Sequence, residues 1–165
     1  MRKPVLVEGV EKQTAALRYK AIGLLARREQ SRNELQRKLH IKALENGWQV
    51  DLDSLLDDLY RLGLQSDQRF AEVLVRSKAN AGYGPSRVYQ WGLQYGLNRE
   101  LIHQQLLEKN FDWFEKALQQ KRKHYGQVLA SDLKERAKQA KYLYQRGFAQ
   151  EQIYYALDAH PDEHL

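Results

Sequence analysis

An all-α fold is what this sequence predicts, built as three tandem three-helix repeats in an elongated, curved helical array. Three observations predict it. Apolar residues recur at helical spacing almost throughout the chain. Capping residues, glycines and prolines cut that pattern into short helices. A stretch in the middle of the chain returns 51 residues later, as stacked helical units do.

The elements follow in order. Leu17, Ala21, Leu24 and Leu25 share one face of a first helix. Ser31-Arg32-Asn33-Glu34 is a capping box: the hydroxyl accepts the amide of Glu34, and the glutamate reaches back to the cap amide. Leu35 and Leu39 continue that second helix, and Lys42–Val50, with Asn46-Gly47, reads as a loop. Leu52, Leu55, Leu56, Leu59 and Leu62 mark a third helix stopped by Gly63. Ser66 caps a fourth, carrying Phe70, Val73, Leu74 and Ser77 on one side. Pro85 opens a fifth at its first position, where the missing N–H costs nothing; Val88, Trp91 and Tyr95 follow, then Gly96. Asn98 caps a sixth with Leu101, Ile102 and Leu106. Asp112 opens a seventh with Trp113, Ala117 and Leu118, ended by Gly126. Ser131 is placed to cap an eighth through Leu133, Ala137, Ala140 and Tyr144, stopped near Gly147. The ninth carries Ile153, Ala156 and Leu157, and Pro161 ends it.

The repeat is legible in two segments. "QYGLNRELIHQQL" (94–106) resembles "QRGFAQEQIYYAL" (145–157). A shift of 51 residues carries Gly96 onto Gly147, Leu97 onto Phe148, Ile102 onto Ile153 and Leu106 onto Leu157. The expected units are residues 11–64, 65–110 and 111–160, with tails at 1–10 and 161–165. Each unit is too small to bury its own apolar faces, so neighbours share a continuous core and a monomer suffices.

Composition excludes several functions. The chain has no cysteine, hence no disulfide frame, thiolate metal site or cysteine nucleophile. No apolar stretch is long enough for a signal peptide or a membrane span, which points to the cytoplasm. Asp162-Glu163-His164-Leu165 shares only composition with a retention signal. The net charge of +6 suggests an acidic partner: nucleic acid, a membrane surface or an acidic protein face.

No catalytic, cofactor or metal site emerges, and no enzyme is predicted. His40, His103, His124, His160 and His164 are scattered, and Pro161 interrupts the only pair at i,i+4. Asp51, Asp53, Asp57 and Asp58 read as a solvated helix start, where carboxylates complement the helix dipole. "GYGPSR" (82–87) matches neither phosphate-loop pattern and follows no strand. It reads as a joint between helices: Gly82 or Gly84 ends one with positive φ, and Pro85 starts the next. Tyr83 either plugs that joint or presents its ring to a partner.

Charge is segregated along the chain. Arg27, Arg28, Arg32, Arg37, Lys38 and Lys42 cluster around the first helix junction. Lys121, Arg122, Lys123, Lys134, Arg136, Lys138 and Lys141 cluster in the third unit, and Lys134, Lys138 and Lys141 share a helix face. Residues 51–72 and the segment after Gly147 are net acidic. The basic faces either meet a polyanion or are merely solvated. Ten tyrosines add candidate stacking or interface residues, Tyr142, Tyr144, Tyr154 and Tyr155 among them.

Gly63-Leu64-Gln65-Ser66-Asp67-Gln68-Arg69-Phe70-Ala71, Gly82-Tyr83-Gly84-Pro85-Ser86-Arg87-Val88 and Gly96-Leu97 together resemble the central signature of the RecX family, bacterial regulators of the RecA recombinase. Ala21 to Leu39 is similar to the family's first repeat and Trp113 to Leu157 to its third. The sequence departs from the pattern at Gln65-Ser66, where an acidic or asparagine pair is usual, and at Trp91-Gly92, where Glu-Leu is preferred. A glycine inside a helix costs about 1 kcal/mol relative to alanine, which packing of Trp91 is expected to offset. The resemblance implies nine helices in three units, no catalysis and no cofactor. It also implies binding to RecA–DNA filaments, with restraint of RecA's ATP hydrolysis, strand exchange and coprotease activities, and so of recombination and the SOS response. The expected contacts with RecA or DNA are Arg27, Arg28, Arg32, Arg37, Lys38, Tyr83, Arg87, Lys121, Arg122, Lys123, Lys134, Lys138 and Lys141. DNA is expected to bind weakly through the basic faces. The alternative is a helical-repeat nucleic-acid-binding protein that acts without RecA.

Overall fold

The computed structural model describes residues 4–161. Among them are nine helices and no strand: α1 (Pro4–Arg27), α2 (Arg32–Glu45), α3 (Leu52–Arg61), α4 (Asp67–Asn80), α5 (Pro85–Gln94), α6 (Arg99–Glu108), α7 (Trp113–Tyr125), α8 (Leu133–Gln145) and α9 (Gln150–Asp158). The expected C-terminal signal-like residues, His164 included, lie outside the described residues.

Caps set most of the helix starts. The side chains of Ser31, Asp51, Asn98 and Asp112 accept amides of their own first turns, from Glu34, Ser54, Glu100 and Glu115. Ser66 does the same for α4, through the amide of Arg69. Three expectations shift. α1 begins at Pro4 rather than near Leu17, because nothing but Gly9 interrupts a helix there and Pro4 suits a first position. α2 runs on to Glu45, since the stop is Gly47, at φ +65°, not Lys42. The cap of α8 is Asp132, whose carboxylate accepts the amide of Glu135 at 2.8 Å, and not Ser131.

The helices fall into two compact units. One holds the described residues up to Ala71 together with Tyr95–Leu97; the other holds Glu72–Gln94 and the residues from Asn98 onward. The first is built on Leu17, Ala21, Leu35, Leu39, Leu55, Leu56 and Leu59, with Trp48 and Val50 packed alongside. These are the apolar positions of α1, α2 and α3 that helical spacing singles out. In the second unit, Ala117, Leu118, Leu143, Phe148, Ile153, Ala156 and Leu157 join α7, α8 and α9, with Trp113 against them.

The two similar segments have matching local structure. Gly96 and Gly147 both take positive φ, at +77° and +99°. Leu97 and Phe148 are buried, as are Ile102 and Ile153. The correspondence breaks at the cap: Asn98 maps onto Ala149, whose methyl accepts no hydrogen bond. Only half of a capping box survives there, with Gln152 Oε1 accepting the Ala149 amide at 2.8 Å. Ala149→Asn should therefore stabilise the protein by about 1 kcal/mol. A rise in the urea midpoint with an unchanged slope would show it, and an unchanged midpoint would refute it.

The structure gives Gly92 a packing reason that the sequence did not show. A Cβ there would lie 2.6 Å from Ile102 Cδ1, so the glycine lets α6 approach α5. Trp91 is occupied elsewhere, at the joint described below.

Candidate interaction surface

Half of the first basic cluster, Arg28, Arg32 and Lys38, is paired with carboxylates of its own unit. Glu34 is buried, 4% exposed, and its carboxylate accepts from Arg28 and Lys38 rather than reaching back to the cap amide. Lys38 also donates to Gln30 Oε1 at 2.8 Å. Arg32 pairs with Asp57 at 2.8 Å and lies 3.7 Å from Asp53. Arg18 meets Asp58, which also pairs with Arg61, and Arg69 meets Glu29 at 2.9 Å. The acidic segment that looked like a separate surface thus supplies counter-ions to α1 and α2. It is not merely solvated, as the sequence suggested. Asp51 stands at the helix start as expected, and there its carboxylate accepts the amide of Ser54. Arg27 and Arg37 remain exposed, without an ion pair among the described residues.

Burial by itself would raise the Glu34 pKa, but hydrogen bonds and charge from Arg28 and Lys38 carry it below its ordinary 4.5. A carboxylate held more acidic in the folded state adds stability above the unfolded pKa and loses it as the pH falls through the folded one. Unfolding midpoints should therefore drop as the pH is lowered below 4.5. Glu34→Gln should flatten that limb, and an unaltered acid limb in the variant would contradict the assignment.

The GYGPSR segment forms the joint inside the second unit. Gly82, at φ +88°, ends α4. The Gly84 amide donates to Arg146 O at 2.8 Å and the Ser86 amide to Gly147 O at 3.1 Å. A Cβ on Gly84 would sit 2.4 Å from the Gly147 carbonyl, and one on Gly147 would sit 2.5 Å from the Arg87 amide nitrogen. The glycines let two backbones touch, and the Gly84 amide already has its partner.

Side chains close the joint. Arg146 donates to Ala81 O at 2.7 Å and Gly82 O at 3.2 Å. Its guanidinium lies 3.8 Å from the Tyr83 ring centre. Tyr83 meets Trp91 edge-on, with 4.6 Å between centres, and Lys78 and Arg87 lie over the Trp91 ring. Tyr83 is half-buried and acts as the plug, the first of its two expected roles. Arg87 is exposed. Sequence reasoning missed Arg146, because the repeat sets Tyr95, not a cation, at the matching place before Gly96.

The third-unit cations divide. Lys121, expected on a binding face, is only 1% exposed; its ammonium donates to Gly126 O at 3.0 Å and Val128 O at 2.9 Å and anchors the α7–α8 loop. Burial, helped by the charge of Arg122, pushes its pKa below the ordinary 10.5. Arg122 donates to His160 O, and Arg136 pairs with Asp158. Lys123, Lys134, Lys138 and Lys141 are exposed. Lys134, Lys138 and Lys141 form a stripe along α8 with no ion pair among the described residues. Among the described residues no three His, Asp or Glu side chains converge to hold a metal ion, and no helix is long and apolar enough to cross a membrane.

Comparison with known proteins agrees with this architecture. Residues 66–106 match the model of the second three-helix domain of RecX, and residues 112–157 that of the third. The regulatory protein RecX of Ectopseudomonas mendocina is 39% identical over 138 residues, covering 84% of this chain and 90% of that protein. That of Stenotrophomonas maltophilia is 39% identical over 144 residues, covering 87% of this chain and 86% of its own. The crystal structure of RecX from Lactobacillus salivarius superposes with a TM-score of 0.72 at 19% identity, over 88% of this chain and 95% of that one. With its helix repeat, its glycine joint and these relatives, the chain belongs to the RecX family of regulatory proteins.

Proposed function

We propose that this protein binds RecA–DNA filaments and restrains them, lowering RecA's ATP hydrolysis, strand exchange and coprotease activity. The observation that carries this reading is the lysine stripe on α8. Most other cations that the sequence singled out are held by carboxylates, carbonyls or rings of the same unit, whereas Lys134, Lys138 and Lys141 face solvent. Lys134 stands in the first turn of its helix, where the dipole disfavours a cation by a few tenths of a kcal/mol. Helix stability does not account for it, and a polyanionic or acidic partner does.

In this reading residues 11–64, 65–110 and 111–160 act as three repeats of a cytoplasmic monomer that needs no cofactor and performs no catalysis. Contact with DNA is weak and passes through the same basic face, and Arg87 and Lys123 are the other exposed candidates of the second unit. Arg27 and Arg37 are the first unit's exposed candidates. Co-sedimentation tests the reading: the chain should pellet with RecA filaments on single strands and stay in the supernatant with the strands alone. Equal recovery with bare strands would instead support a nucleic-acid-binding protein that acts without RecA.

A further inference from the structure

A groove of about 570 Å3 lies along α8 and α9 of the second unit. Its floor is apolar: Ala140, Phe148 and Ile153. Phe148 and Ile153 also belong to the core, so packing fixes the floor. Tyr144 and Tyr154 stand as walls, 73% and 47% exposed. A second hollow of about 410 Å3 continues from it, shares Ser86, Tyr144 and Phe148, and reaches Arg87. Lys141 lines the first hollow and Arg87 the second, both side chains exposed, and no aspartate or glutamate lines either.

We infer that this groove docks an acidic peptide segment of a protein partner, one that carries a single bulky apolar side chain. The apolar side chain seats on Phe148 and Ile153, and the flanking carboxylates meet Lys141 and Arg87. Two properties of the groove select this occupant. Its rim is cationic with no counter-ion, which favours an anion. Its exposed apolar surface, supplied by the Tyr144 and Tyr154 rings above a buried floor of Phe148 and Ile153, favours an aliphatic or aromatic anchor. A nucleic-acid strand would use the same rim and stack its bases on Tyr144 and Tyr154, so displacement by oligothymidylate is the competing outcome of the test. The inference rests on the filament reading insofar as the partner of that reading supplies the segment.

The test uses the full chain and a fluorescein-labelled synthetic peptide in which one Phe is flanked on both sides by Asp and Glu, read by anisotropy. Two variants leave the fold intact: Lys141→Glu reverses an exposed charge, and Ala149→Asp restores a helix cap while placing a carboxylate at the groove. Saturable binding is expected, weakened at least tenfold by each variant and at least tenfold when the peptide's Phe is replaced by Ser. Oligothymidylate should not displace the peptide. Binding that ignores both variants, or that survives loss of the Phe, would overturn the inference. So would full displacement by oligothymidylate, which would make the groove a nucleic-acid site. A chain that restrains RecA yet ignores the peptide would lose the groove assignment alone. A chain that binds the peptide yet leaves RecA untouched would keep the groove and lose the filament reading.

Discussion

Gly147→Ala is expected to destabilise the second unit by roughly 3 kcal/mol or more, the sum of two separate costs. The backbone at Gly147 has φ +99°, outside the comfortable range of any residue with a Cβ. The added methyl would also lie 2.5 Å from the Arg87 amide nitrogen and 3.0 Å from its Cα, which are backbone atoms with little freedom to retreat. Gly63→Ala is the matched control. It has φ +73° and open space around it, so only the backbone term of about 1 kcal/mol applies. Gly84→Ala should resemble Gly147→Ala for the clash alone, since its Cβ would meet the Gly147 carbonyl at 2.4 Å. Urea midpoints of the three variants decide the matter. Equal losses at Gly63 and Gly147 would mean that the two backbones do not hold this approach.

The second large effect is on the partner. A triple variant, Lys134→Glu with Lys138→Glu and Lys141→Glu, should weaken restraint of RecA by at least tenfold while keeping its helicity. All three side chains are exposed and make no ion pair among the described residues, so the fold does not depend on them. Reversing a row of charges converts attraction into repulsion at a charged interface. Arg32→Glu should behave in the opposite way. It would set a carboxylate against Asp53 and Asp57, and so lower stability by about 1 kcal/mol with little change in restraint at matched folded fraction. Unchanged inhibition by the folded triple variant would remove the α8 stripe from the interface.

Much of the fold was legible because its signals are local. Ser31, Asp51, Ser66, Asn98 and Asp112 cap where their chemistry says they should, and the leucines of α3 face the core at helical spacing. What was not legible depends on which residues meet across sequence distance. Arg32 and Asp57 lie 25 positions apart in the chain, so two segments of opposite charge looked like two surfaces until folding paired them. Lys121 looked like its neighbours Arg122 and Lys123, yet its position on α7 turns it inward onto two loop carbonyls. Ser131 and Asp132 are both good caps, and only the backbone geometry selects the aspartate. The joint was readable as a joint from Gly82, Gly84 and Pro85. Its partner, Arg146-Gly147, was visible in the repeat only as a helix stop, because close approach of two backbones leaves no trace beyond the glycines themselves.

The most direct test of the filament account is RecA's single-strand-dependent ATPase, followed while this protein is titrated in, with its affinity for bare single strands measured in the same buffer. A filament-directed regulator should inhibit at amounts well below those of RecA and bind bare strands weakly. Absence of inhibition combined with tight, steeply salt-dependent binding to bare strands would contradict the filament account, leaving the helical-repeat fold in place and moving the function to nucleic-acid binding without RecA.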